Sequence, residues 1–106
     1  MLVIRGTVTA NEDLRVDGRV EGSIDAQDHV VTIGSEGRVD GEIRAKIALI
    51  QGTVIGEVRA TERAAQAETS VFEGDLAASR LEMCEGARFD GRIEMPVRPR
   101  VVTTAA

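Results

Sequence analysis

The chain has 106 residues, a net charge of −5 and only two aromatic residues, both Phe. This length suits one domain, and its core must be built from small aliphatic side chains because large rings are nearly absent. An acidic chain without a basic run is poorly suited to bind nucleic acid. It has no apolar run near the roughly 20 residues that cross a bilayer. One cysteine rules out an internal disulfide framework, and we expect a cytoplasmic protein.

A nine-residue unit recurs along the chain, with Gly, apolar, Gly, apolar and Ala at alternate positions. Clear copies lie at residues 18–26, 37–45 and 52–60. Alternation with a period of two predicts a strand with one buried face. Recurrence of such a unit at a nearly fixed spacing predicts a solenoid.

The second glycine of the unit recurs six times, at a mean spacing of 17 residues: Gly6, Gly22, Gly41, Gly56, Gly74 and Gly91. Apolar columns flank it two positions before (Val20, Val39, Val54, Phe72, Phe89) and two after (Val8, Ile24, Ile43, Val58, Leu76, Ile93). Shorter pairs, apolar except at Gln66, follow each unit: Leu14 and Val16, Val31 and Ile33, Ala48 and Ile50, Ala64 and Gln66, Leu81 and Met83. The polar Gln66 predicts a thinner core at its coil. We expect the glycines to take positive φ or to allow close backbone approach. The pattern predicts an all-β fold, a parallel β-helix of about six coils.

The two prolines of the chain, Pro96 and Pro99, follow the last repeat. Proline cannot donate to a strand ladder, so it ends the last coil. We therefore predict a β-helix domain over residues 1–95 and a short, flexible, Pro-containing tail over residues 96–106.

The outward positions of the repeat carry mostly charged side chains, which we interpret as a solvated face. Ile55 interrupts an acidic column and Val71 a basic one on the neighbouring coil. Two interpretations stay open: isolated exposed aliphatic side chains, which are common, or a lateral contact between filaments or with a partner.

No catalytic constellation is visible. The nearest enzymatic alternative is the hexapeptide-repeat acyltransferase solenoid, but coil lengths drifting from 15 to 19 residues do not fit a strict six-residue register. The only histidine, His29, lies at a predicted corner, and Cys84 has no activating neighbour in sequence. We predict a protein that is not an enzyme and has no catalytic residue, cofactor or metal.

The two ends of the solenoid are the candidate functional sites. No segment is predicted to form a capping helix, and open strand edges can pair with another chain. We expect end-to-end stacking of copies of this chain. The predicted N-terminal interface comprises Leu2, Val3, Ile4 and Val8, and the predicted C-terminal interface comprises Leu81, Met83, Phe89, Ile93 and Met95.

Residues 12–24, 51–58 and 85–93 resemble the opening, middle and closing motifs of bactofilins, bacterial polymer-forming cytoskeletal proteins. The resemblance implies a right-handed, three-sided β-helix that polymerises without nucleotide into non-polar filaments. It also implies a scaffold at the cytoplasmic face of the membrane that helps localise cell-wall (peptidoglycan) enzymes for cell shape or for stalk or bud formation.

The resemblance assigns Phe89 to the filament joint, while the alternative is that Phe89 fills the core as Phe72 does. Residues 1–4 either complete the core of the first coil or contact the membrane. Such a contact would be weak, because it involves so few apolar residues. The alternative function is a non-polymerising solenoid adaptor or a regulator of such filaments.

Overall fold

The computed structural model describes residues 3–94, which form strands and no helix. Nine strands lie in this range: β1 (Val3–Thr9), β2 (Leu14–Val16), β3 (Arg19–Asp25), β4 (Val30–Ile33), β5 (Arg38–Ile50), β6 (Thr53–Gln66), β7 (Val71–Ala78), β8 (Leu81–Met83) and β9 (Arg88–Glu94). Residues 3–94 thus hold no helix able to span a membrane. Leu2, Met95 and the predicted tail over residues 96–106 lie outside the described residues.

All strand pairs of this range are parallel, which confirms the predicted β-solenoid. One ladder runs β1-β3-β5-β6-β7-β9, and a second joins β2, β4, the later halves of β5 and β6, and β8. The long strands β5 and β6 contribute to both ladders, with a register shift between Ala45 and Ile47. Six rungs on the first ladder enclose about five turns, one fewer than the number of glycines suggested.

The predicted columns form the core. Val20, Val39, Val54 and Phe72 pair in one line across the coils, and all are at most 2% exposed. The second column is equally buried in the inner coils, at Ile24, Ile43, Val58 and Leu76. The later ladder adds Val31, Ile33, Ala48, Ile50 and Ala64. A narrow stack of small aliphatic side chains thus accounts for the scarcity of aromatic residues.

The repeated glycine takes positive φ in all six copies, between 121° and 145°. A Cβ added to Gly41 would meet the carbonyl oxygen of Gly22 on the preceding coil, and Gly56, Gly74 and Gly91 repeat this relation. The column therefore brings successive coils into close backbone contact, as the sequence predicted.

The outward charges form ion pairs within and between coils. Arg19 lies 3.0 Å from Glu21 and 3.4 Å from Asp40, and Arg38 also lies 3.4 Å from Asp40. Such exposed pairs contribute about 0–1 kcal/mol each, so burial of the aliphatic columns contributes most of the stability.

Candidate functional site: the two open ends

The N-terminal end exposes the edge of β1, which pairs only with β3 among the described strands. Ile4 and Val8 are half-buried against the core, while Val3 is 46% exposed. Beside them opens a cavity of about 190 Å³, whose apolar lining comes from Ile4, Val8, Leu14, Val16, Val20 and Ile24. The aliphatic core therefore continues to this end of the described chain.

The C-terminal end is formed by β8 and β9, which pair only with β6 and β7 among the described strands. Phe89 is half-buried and stacks on the fully buried Phe72, with ring centroids 5.0 Å apart and planes 4° from parallel. Ile93 continues the column of the buried Leu76 but is 40% exposed.

The last turn carries four of the five residues predicted at this end, and Met95 lies outside the described residues. Leu81 is half-buried, and Met83, 44% exposed, pairs with the buried Gln66. Phe89 is both a continuation of the core column and an accessible ring, so the two interpretations of this residue are compatible.

A buried polar link supports the last turn, and the sequence did not reveal it. Gln66 is 1% exposed, and its Nε2 donates to Ser70 Oγ and to the carbonyl oxygen of Arg88, each at 3.1 Å. Ser70 Oγ donates in turn to the carbonyl oxygen of Ala67 at 2.7 Å. Gln66 thereby anchors the backbone next to Phe89. Its place in an apolar column was the only sequence signal, and by itself that signal suggested a weak place in the core.

The remaining candidate residues do not assemble into a chemical site. His29 Nδ1 lies 3.7 Å from an Asp13 carboxylate oxygen, and Cys84 is exposed. Over residues 3–94, no three His, Cys, Asp or Glu side chains cluster in a way that could hold a metal ion.

Ile55 and Val71 lie on the outer face of the neighbouring strands β6 and β7, and both are partly exposed. In the ladder Ile55 lies beside Glu73, and Val71 lies beside Thr53. Their outward placement is as predicted, and their role as a lateral contact stays a prediction.

Known proteins are similar to this chain in sequence. Bactofilin BacP of Myxococcus xanthus (strain DK1622) is 34% identical over 94 residues, which cover 89% of this chain and 39% of BacP. Bactofilin BacO of the same organism is 30% identical over 99 residues, covering 93% of this chain and 78% of BacO. The chain thus spans about two fifths of the length of BacP.

A solved structure, the cryo-EM reconstruction of Thermus thermophilus bactofilin double helical filaments, matches with a TM-score of 0.81 and 34% identity. The match covers 90% of this chain and 93% of that one. The model of the bactofilin family, described as polymer-forming cytoskeletal, matches residues 1–94. Because that match covers nearly the whole chain and the parallel solenoid agrees with it, the chain belongs to the bactofilin family.

Proposed function

We propose that this chain is the subunit of a cytoskeletal filament that assembles without nucleotide by end-to-end stacking of solenoids. The observation that carries the proposal is the change in burial along the core columns. Side chains that are at most 2% exposed in the inner coils give way to the half-buried Ile4 and Val8 at one end, and to Met83 and Ile93, 44% and 40% exposed, at the other. A second copy stacked on either end would bury these side chains and pair the open backbone of β1 or β9.

The family supports this function in two ways. It is described as polymer-forming and cytoskeletal, which favours a structural role over an enzymatic one. The related Thermus thermophilus protein forms double helical filaments.

We extend the proposal to location and partners on the strength of the family resemblance. The filament would lie at the cytoplasmic face of the membrane and help localise cell-wall enzymes for cell shape or for stalk or bud formation. The exposed Val3 is a weak membrane contact in a single chain. Many copies along a polymer would bind through avidity.

Phe89→Arg tests the assembly. The change places a charge on the half-buried ring position at the C-terminal end, where stacking would desolvate it. We expect folded protein that forms no long filaments in electron micrographs and stays in the supernatant on sedimentation. Ser35→Arg, an exposed corner of an inner coil, is the matched control and should assemble like the unaltered chain.

Two results would contradict the proposal. Long filaments from Phe89→Arg would exclude this end from the joint. An unaltered chain that stays monomeric without nucleotide at high concentration would favour the adaptor or regulator alternative.

A further inference from the structure

The outer face of the second ladder carries apolar side chains on β4 and on the later halves of β5 and β6. Side chains of a strand alternate between faces, and every second residue of these segments is buried in the core. Four of the residues between or beside them are apolar, point outward and are half-buried: Val30, Ile47, Leu49 and Ala65. The outward positions of the first ladder are mostly charged instead. The second ladder thus presents an apolar surface on the side of the solenoid.

A groove of about 220 Å³ opens on this face, near the C-terminal end. Ala65 lies at its centre, between Leu49 on the preceding coil and Glu82 on the following one. Ala67 and Cys84 continue the lining at the corner that follows these strands. Two small alanine side chains on one coil therefore leave a depression between the longer side chains of its neighbours.

The rim of the groove is acidic. Glu82 lies in its wall, where Arg63 approaches it to 3.5 Å. Glu68 and Glu85 follow the lining residues Ala67 and Cys84 in sequence and are exposed. Within residues 3–94, no basic group lies within 4.0 Å of either carboxylate. The groove therefore fits a ligand that is both apolar and basic.

The segment of this chain that follows the described residues has that chemistry. It contains two arginines, Arg98 and Arg100, and no acidic side chain. Pro96 and Pro99 favour a polyproline II helix, in which residues three apart share one side. In that conformation Pro96, Pro99 and Val102 would form one apolar side, with the arginines on the others. Because proline sets the extended conformation in advance, binding costs less entropy.

The segment also begins close enough to reach the groove. Glu94 pairs with Ala77 of β7 on the neighbouring rung, about 4.8 Å away. From Ala77 the chain itself reaches Met83, which lines the groove, in six residues. Six residues after Glu94 therefore suffice to bring Arg100 to the rung beside Met83.

We propose that residues 95–102 bind in the groove of their own chain as a strap, with Pro99 against Ala65 and Ala67 and with the two arginines against the acidic rim. The strap ties the last turn to the inner coils, since β5, β6 and β8 all line the groove. This inference goes beyond the proposed function and does not depend on filament formation, because groove and strap belong to one chain.

Disulfide trapping at Cys84, the only cysteine of the chain, tests the strap. Val101→Cys and Ala106→Cys each add one thiol to the segment. In a glutathione redox buffer at low protein concentration, the Val101→Cys variant should form an intramolecular disulfide about tenfold faster or more, because binding holds its thiol near Cys84. An unbound segment would give a difference of only about 1.5-fold, because loops of 17 and 22 residues differ little in closure entropy. Mass spectrometry of the intact protein measures the product.

Three further changes locate the binding site. Ala65→Trp fills the groove from an outward position, so the chain should fold and the ratio of the two rates should fall to that of an unbound segment. Thr32→Trp, on the same face but outside the groove, is the matched control and should leave the ratio unchanged. Glu68→Lys with Glu85→Lys reverses the rim charge and should also lower the ratio. Circular dichroism checks the fold of each variant.

Three results would overturn the strap. One is a rate ratio near 1.5 in the otherwise unaltered chain, the value for an unbound segment. Another is a high ratio that Ala65→Trp leaves unchanged, which would place the segment outside the groove. The third is a disulfide that joins two chains, detected as a dimer mass, which would place the segment in the groove of another copy. Filament formation is measured separately and is affected by none of these results.

Discussion

From the second coil onward, the repeated glycine lies where a side chain would face two separate obstacles. Gly56 has φ of 131°, a conformation that L residues rarely adopt, and a Cβ there would also meet the carbonyl oxygen of Gly41. Gly6 has φ of 121°, but no described atom lies within 4 Å of its added Cβ. The effect of backbone strain alone can therefore be measured at Gly6, and the combined effect of strain and contact between coils at Gly56.

Gly56→Ala and Gly6→Ala measure these two effects. Gly6→Ala should lower the free energy of unfolding by about 1–3 kcal/mol, the usual range for a strained φ. Gly56→Ala should lower it by about 4 kcal/mol or more, because the Cβ also displaces the preceding coil. Urea unfolding in an Ile4→Arg, Phe89→Arg background avoids interference from assembly. Equal losses would show that the contact between coils contributes nothing.

Periodicity predicted the residues of the core because every coil repeats the same alternation. It could not predict what Gln66 does, since its bonds to Ser70 Oγ and to the Arg88 carbonyl depend on how a corner folds back. The Oε1 atom of Gln66 has no hydrogen-bond partner among residues 3–94. A buried, unpaired carbonyl costs about 1–3 kcal/mol, so the residue holds the last turn at some expense of stability.

At the scale of the strands, the sequence indicated a nine-residue unit and a separate short pair in each coil, whereas β5 and β6 each run continuously through both. The corner of β5 is the single residue Lys46, between Ala45 and Ile47, where the register of the ladder shifts but the strand continues. The corner after Ala26 holds three residues, 27–29, and there the strands separate. Corner length is visible in the sequence, but its effect on strand continuity is not.

Edge strands are also a property that the sequence shows only indirectly. Phe72 and Phe89 occupy the same position of the repeat, and the sequence alone does not distinguish their burial. Phe89 is only half-buried because its strand, β9, pairs on one side only among the described strands.

Ile55 on β6 and Val71 on β7 give a prediction for the sides of the filament. If they form a lateral contact, replacing both with Glu should leave filament length unchanged and reduce association between filaments, because the new carboxylates repel and resist burial. Filament width and bundling in electron micrographs measure this. Thr61→Glu with Ala77→Glu adds the same charge elsewhere and should leave bundling unchanged. Unchanged bundling in the first variant would show that Ile55 and Val71 are isolated exposed side chains and form no lateral contact.

At the scale of the whole molecule, the symmetry of one joint decides that of the other. Each copy has two ends, and a C-terminal end bound to another C-terminal end is no longer available to an N-terminal end. The N-terminal ends can then bind only each other, through the apolar surface that includes Ile4 and Val8. Two different two-fold joints alternate along such a polymer, which therefore has no polarity. Such a polymer matches the non-polar filament that the family resemblance implies.

Mixing two end-blocked variants tests this symmetry without any filament. Ile4→Arg leaves the C-terminal end intact and Phe89→Arg leaves the N-terminal end intact, so with two-fold joints each variant should form dimers only with itself. Native mass spectrometry of an equimolar mixture, with one variant isotopically labelled, should show no mixed dimer. Labelled and unlabelled Phe89→Arg, mixed in the same way, are the control for subunit exchange. Joints between unlike ends predict the opposite result, because the intact C-terminal end of Ile4→Arg would bind the intact N-terminal end of Phe89→Arg and mixed dimers would dominate. The composition of the dimer thus distinguishes a polar from a non-polar polymer at the level of a single joint.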